Sequence, residues 1–124
     1  MKLKLSCLLI ATALASLTAQ AGVTTQMIDN DAASTGDVLT NGMGTQGQRY
    51  SSLKKVNASN VASLAPAWAF SFGGEKQRGQ EAQPVVHNGK MFITSSYSRI
   101  FALDAATGKK LWKYEYRLPE GIMP

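Results

Sequence analysis

The stretch Ala-Leu-Asp-Ala-Ala-Thr-Gly-Lys-Lys-Leu-Trp, residues 102–112, decides the fold of this chain. It predicts the end of one strand, residues 99–103, followed by a tight turn and the start of a second strand. Asp104 and Thr107 carry side chains that can bond backbone groups inside such a turn. Gly108 supplies the positive φ that closing the turn usually needs. The stretch therefore predicts two antiparallel strands joined by a turn of defined chemistry.

Two segments alternate large aromatic residues with smaller or polar ones, which is the period of a half-buried strand. One covers residues 110–116 and the other covers residues 67–72. Their aromatic residues are Trp112, Tyr114 and Tyr116 in the first, and Trp68, Phe70 and Phe72 in the second. The two tryptophans are 44 residues apart. A repeat of roughly 40 to 50 residues that carries four short strands is typical of a β-propeller blade.

Residues 83–87 and 90–95 are predicted to form a hairpin, because Asn88 and Gly89 between them both accept positive φ. The strands 99–103 and 110–116 complete a four-stranded sheet. We therefore predict an all-β chain with one whole sheet, preceded by a single extra strand over residues 67–72. One sheet leaves two apolar faces and its edges exposed, which indicates a portion of a longer propeller.

The first 21 residues have the pattern of a signal peptide. Lys2 and Lys4 precede an apolar run over residues 5–17, which is too short to span a bilayer, and Ala19-Gln20-Ala21 fits a small-x-small cleavage site. A membrane anchor is the alternative interpretation. Cleavage would remove the single cysteine, so the exported segment could form no disulfide of its own.

Several functions are disfavoured by charge and spacing. The net charge of +5 is spread along the chain, without a Lys/Arg cluster interleaved with aromatic residues, so nucleic acid is not an expected partner. Gly74 and Gly79 have the spacing of a phosphate-binding loop, but Gln80 and Glu81 stand where Lys and Ser/Thr are required. His87 has no nucleophile or metal-ligand partner at a recognisable spacing, which favours ordinary strand-end polarity.

Residues 22–66 are predicted to be an extended lead-in. The first part is polar and lacks periodicity, and a stretch of that length without an element indicates a partner surface elsewhere. Asn57 is expected to cap a short helical turn that carries Val61 and Leu64 and ends before Pro66.

The turn and its flanks resemble one family. Ala102, Asp104, Thr107, Gly108 and Trp112 match the tryptophan-docking pattern Ala-x-Asp-x-x-Thr-Gly-x-x-x-Trp of the quinoprotein alcohol dehydrogenases, which use pyrroloquinoline quinone (PQQ). The flanking similarity extends over about residues 44–124 and is nearest to the ethanol-type branch. Its matching runs are Gln48-Arg49-Tyr50-Ser51, the residues from Asn60 to Trp68, and Arg78-Gly79-Gln80-Glu81.

This resemblance implies an eight-bladed β-propeller. One complete four-stranded blade would lie in this chain, and residues 67–72 would be the amino-terminal strand that closes the last blade. Residues 67–124 would then begin the PQQ-binding propeller. Asp104 would bond backbone in the docking turn, while Trp68 and Trp112 would pack between neighbouring sheets.

The resemblance also implies a site. Glu81 matches a glutamate that hydrogen-bonds PQQ in the family, although an ion pair with Lys76 or Arg78 is the alternative. Calcium, or a lanthanide in some branches, would be held by residues outside this segment, as would the catalytic Asp and an adjacent cysteine pair just beyond Pro124. No catalytic or metal-binding residue is therefore expected here, and the segment alone is not expected to be active.

The function implied is that of a periplasmic alcohol dehydrogenase, which oxidises primary alcohols to aldehydes and passes electrons to a cytochrome c. A homodimer of the full-length protein is a further expectation, and a stable membrane anchor is not expected. Sugar-oxidising quinoproteins are a near alternative. The alternative from another class is a non-enzymatic propeller that serves as an outer-membrane assembly scaffold, which would not need the carboxylate of Glu81.

Overall fold

The computed structural model describes residues 22–73, 80–117 and 119–122. Within these ranges four strands form one antiparallel sheet in the order β1-β2-β3-β4. The strands are β1 Val85–His87, β2 Lys90–Ser95, β3 Arg99–Asp104 and β4 Lys110–Glu115. The predicted four-stranded sheet is confirmed. The predicted signal peptide, residues 1–21, and residues 74–79 lie outside the described residues.

The β1–β2 connection is the predicted two-residue hairpin. Asn88 has φ 49° and Gly89 has φ 71°. Both values are positive, as the turn that follows the right-handed twist of the strands requires. Because that turn fixes the register, β2 begins and ends where the sequence predicts.

The β2–β3 connection is less usual, because two residues other than glycine adopt positive φ. Tyr97 has φ 62° and Ser98 has φ 53°, and this conformation costs about 1–2 kcal/mol per residue. Arg99 lies beneath the turn and is only 8% exposed. Its Nε donates to the Ser96 carbonyl at 2.8 Å, and its guanidinium lies 5.5 Å from the Tyr97 ring centroid. These contacts offset part of the cost of the strained turn.

The core lies on both sides of β3. Phe101, Ala102 and Leu103 are all nearly inaccessible to solvent. On one face, the Phe101 ring lies 5.5 Å from the Phe70 ring and 5.3 Å from the Phe72 ring, centroid to centroid.

On the other face, Phe92, Ala102 and Trp112 are aligned across β2, β3 and β4. The third strand is therefore apolar on both faces, as the sequence indicates.

Residues 67–72 differ from the prediction, because they form no strand in the described structure. Their aromatic residues are nevertheless half-buried, while the residues between them are exposed. The period-two pattern therefore predicts correctly which side chains face the sheet. A strand also requires ladder hydrogen bonds to a neighbour, and no backbone bond from residues 67–72 to another described segment is present.

The first part of the lead-in differs from the prediction, because it contains helical elements and pairs with the sheet of this same chain. Helix α1 is Thr25–Asp29, and a 3₁₀ helix follows over Asp31–Ala33. The fully buried Asp31 carboxylate accepts bonds from the N–H groups of Leu39 and Thr40 at 2.9 Å and from the Thr40 hydroxyl at 3.0 Å. The lead-in is thus folded around one satisfied carboxylate.

The lead-in reaches the sheet at residues 37 and 38. Val38 and Val86 exchange two backbone hydrogen bonds of 2.9 and 2.8 Å, forming an isolated antiparallel bridge on the free edge of β1. Beside it, Asp37 Oδ2 lies 3.0 Å from His87 Nδ1, and Asp37 Oδ1 accepts from the Asn88 N–H at 3.0 Å. We call residues 37 and 38 with their partners on β1 the edge strap.

The predicted helical turn is present as a 3₁₀ helix over Val61–Ser63, but its N-cap residue is Asn60 and not the predicted Asn57. The Asn57 carboxamide oxygen accepts from the Ser59 N–H at 2.9 Å. Val61 and Leu64 remain 51% and 62% exposed, so this turn buries no apolar face against the described residues.

Candidate functional site

The turn between β3 and β4 is organised by one carboxylate. Asp104 Oδ1 accepts from the Thr107 hydroxyl at 2.7 Å, the Thr107 N–H at 2.8 Å and the Ala106 N–H at 3.1 Å. The Thr107 hydroxyl bond, followed by the Thr107 backbone bond, lowers the pKa of the Asp104 carboxyl from its ordinary value. Asp104 therefore bonds backbone within the turn, which is the role that its position in the sequence predicts.

Gly108 leaves room on this turn for an aromatic ring. It has φ 71°, and a Cβ at this position would lie 2.5 Å from two ring atoms of Trp68. The Trp68 Nε1–H donates to the Ala105 carbonyl at 3.2 Å. The Trp68 ring thus packs over the glycine of the turn, and its indole N–H donates to a carbonyl of the same turn. We call this arrangement of residues 104–108 with Trp68 the docking turn.

Trp112, the tryptophan at the end of the motif, lies on a sheet face and not in this turn. Its ring is tilted against Phe92 with centroids 6.0 Å apart, and the residue is 45% exposed. Tyr114, two residues on, is 53% exposed on the same face. The described structure therefore leaves an aromatic surface on β4 open to solvent.

Glu81 lies at the opposite end of the sheet from the docking turn. The docking turn adjoins the β1–β2 hairpin, since the Ala105 N–H donates to the Gly89 carbonyl at 2.9 Å. Glu81 precedes β1 and is thus at the end where β2 and β3 are connected. It is exposed. The alternative partners Lys76 and Arg78 lie outside the described residues.

Gln80, beside Glu81, ties this segment to the sheet. Its side-chain Nε2 donates to the Thr94 carbonyl of β2 at 2.7 Å. Sequence reasoning missed this contact, because Gln80 lies outside any strand and Thr94 is 14 residues away.

His87 has the structural role that the sequence favours, but with a partner that sequence reasoning missed. Asp37 is 50 residues away, and nothing in either local sequence marks the pair. His87 Nε2 also lies 3.1 Å from the side-chain amide nitrogen Nδ2 of Asn88, so both ring nitrogens are engaged. In the part of the chain that the structure describes, no group of three or more His, Cys, Asp or Glu side chains could hold a metal ion.

Comparison with known proteins identifies the family. Residues 40–122 match the family model described as PQQ: glucose/ethanol/alcohol dehydrogenase, β-propeller domain. The chain is 58% identical to 1-butanol dehydrogenase (quinone) of Thauera butanivorans, over 97% of this chain and 20% of that protein. It is 57% identical to the quinoprotein ethanol dehydrogenase of Pseudomonas aeruginosa, again over 97% of this chain and 20% of that protein.

A solved structure agrees with this assignment. Quinohemoprotein alcohol dehydrogenase from Comamonas testosteroni superposes with a TM-score of 0.69 at 38% identity, covering 77% of this chain and 14% of that one. The chain therefore belongs to the PQQ-dependent alcohol dehydrogenase β-propeller family, as its docking motif indicates. It spans about a fifth of the length of the curated relatives that it matches.

Proposed function

We propose that the protein containing this segment oxidises primary alcohols to aldehydes with PQQ as cofactor and passes the electrons to a cytochrome c. The observation that carries this proposal is 54–58% identity, over most of this chain, to relatives named as quinone-dependent butanol, ethanol and alcohol dehydrogenases. The matched part of the chain includes the docking turn and Glu81. The alcohol substrate of this protein is inferred from those names.

Glu81 is the described residue that we propose to bind PQQ. Its carboxylate is exposed at a sheet end and is tied in place through its neighbour Gln80. A carboxylate can contact a carboxylated cofactor when the two share a proton or a neighbouring cation. PQQ would supply the hydride-accepting chemistry, while Glu81 would fix one edge of the cofactor. Calcium, or a lanthanide, would be bound by residues outside those described here.

The segment is proposed to begin an eight-bladed propeller. Residues 67–72 would pair with a strand of the last blade and close the ring, with Trp68 seated in the docking turn of the first blade. Support comes from the Trp68 contacts with Gly108 and Ala105. The exposed Trp112 and Tyr114 would be covered by the next blade.

We further propose export to the periplasm by residues 1–21, and a homodimeric full-length protein. Two lysines, a short apolar run and the Ala19-Gln20-Ala21 site support the export signal. No helix in the described part of the chain is long and apolar enough to cross a membrane.

The proposal is tested by an activity assay on the full-length protein that contains this segment. After incubation with PQQ and calcium, ethanol or 1-butanol should drive reduction of an artificial electron-accepting dye, and omission of PQQ should abolish it. Glucose in place of the alcohol tests the sugar-oxidising alternative. A protein that binds no PQQ and reduces no dye with any alcohol would instead fit a non-enzymatic scaffold.

A further inference from the structure

The segment that carries Glu81 leaves the sheet at a defined point. In an antiparallel strand the N–H and C=O of one residue point to the same side, and successive residues alternate sides. Val86 bonds Val38 on the outer edge, so Val85 and His87 direct their backbone groups to β2. Since Val85 is opposite Phe92, continuation of the ladder would place residue 83 opposite Thr94.

Gln80 replaces that ladder bond. β1 begins only at Val85, and the Thr94 carbonyl accepts the Gln80 side-chain amide at 2.7 Å instead. The side chain therefore takes the position of the missing strand N–H at the Thr94 carbonyl, on the exposed side of the sheet. It also limits how far the backbone directly before Glu81 can move from β2.

We infer that Gln80 is a positioning residue for Glu81 and thereby sets the affinity of the protein for PQQ. This inference rests on the proposed function, in which Glu81 contacts the cofactor. A side chain adjacent to a binding residue limits the conformations of that residue when its own end is bonded to a rigid strand. Without the Gln80–Thr94 bond, Glu81 would be ordered only when PQQ binds. The loss of conformational entropy at that step would lower the affinity for PQQ.

The test is a set of PQQ titrations of the full-length apoprotein at fixed calcium, followed by quenching of tryptophan fluorescence. Gln80→Met retains the length of the side chain and loses the donor, and we expect the Kd for PQQ to rise about fivefold. Gln80→Leu is the second variant, with the same expected loss. Gln83→Met is the matched control, because Gln83 is exposed and makes no side-chain hydrogen bond to a described residue. Its Kd should equal that of the wild type.

A double-mutant cycle separates positioning from a general structural role. Glu81→Gln should raise the Kd about tenfold or more. In the Glu81→Gln background, Gln80→Met should raise the Kd for PQQ by less than about twofold, because Gln80 acts through Glu81. Fully additive losses would overturn the inference, as would wild-type affinity of both Gln80 variants. If Glu81→Gln itself binds PQQ as the wild type does, the proposed role of Glu81 fails, a result distinct from failure of the Gln80 inference alone.

Discussion

Gly108 is the residue on which the docking turn depends most directly. It combines a left-handed backbone, φ 71°, with the close approach of the Trp68 ring. Either requirement favours glycine, and here both fall on one position. The neighbouring Asp104 then fixes the shape of the turn through three hydrogen bonds to its carboxylate.

Gly108→Ala is expected to destabilise the full-length protein by about 3 kcal/mol, through backbone strain and displacement of the Trp68 ring. Gly89→Ala is the matched control, because Gly89 has the same φ of 71° and a Cβ there would meet nothing within 4 Å. It should cost about 1 kcal/mol. The free energies of unfolding come from urea titrations, and equal losses in the two variants would show that the ring contact contributes nothing.

The Asp104 carboxyl should titrate below its ordinary pKa of 3.8, because the Thr107 bonds stabilise its charged form. A depressed folded-state pKa means that the stabilisation is fully present above about pH 4 and is lost as the pH falls through the folded-state value. The carboxyl ¹³C shift of labelled aspartate measures this midpoint. Thr107→Val should move the midpoint upward, and an unchanged midpoint in that variant would contradict the assigned cause.

At the scale of elements, the edge strap converts the lead-in into part of the blade. Asp37 bonds both the His87 ring and the Asn88 N–H, and the next residue, Val38, forms the bridge to Val86. The free edge of β1 is thereby partly covered, which protects a short strand that would otherwise present unpaired backbone groups.

Asp37→Ala should therefore loosen this edge in the full-length protein. We expect the Val86 amide, which donates to the Val38 carbonyl, to exchange with solvent about tenfold faster, because two supporting hydrogen bonds are removed. Hydrogen exchange followed by mass spectrometry of the β1 peptide measures this rate. Thr35→Ala, at an exposed lead-in position, should leave this exchange rate unchanged. Equal exchange rates in the wild type and Asp37→Ala would show that the Asp37 bonds do not hold the edge strap in place.

The elements also show which features sequence reasoning could predict. β2 and its hairpin were predicted correctly, because Asn88 and Gly89 determine a turn locally and the turn sets the register. Helix α1 was missed because a helix of five residues is too short to show an apolar period. Its start is marked by Thr24, whose hydroxyl accepts a hydrogen bond from the Met27 N–H. The Asp37–His87 pair was missed because its members are distant in sequence and each is ordinary in its own surroundings.

At the scale of the whole molecule, the described segment is a blade with an uncovered aromatic surface. Residues 67–72 show most clearly what a local sequence pattern cannot predict. The alternation predicted their half-buried aromatic residues, but a strand also needs an adjacent strand to which its backbone can hydrogen-bond. The family assignment followed from the docking motif and agrees with the relatives found. The position of Glu81 at a sheet end is observed, whereas its contact with PQQ stays a prediction.

Equilibrium binding of PQQ to the full-length protein tests the central claim most directly. The protein should be titrated with PQQ in the presence of calcium, with free and bound cofactor separated by dialysis. We predict saturable binding of one PQQ per polypeptide. Absence of saturable binding by a folded full-length protein would contradict the assignment of this segment to a working PQQ-dependent alcohol dehydrogenase.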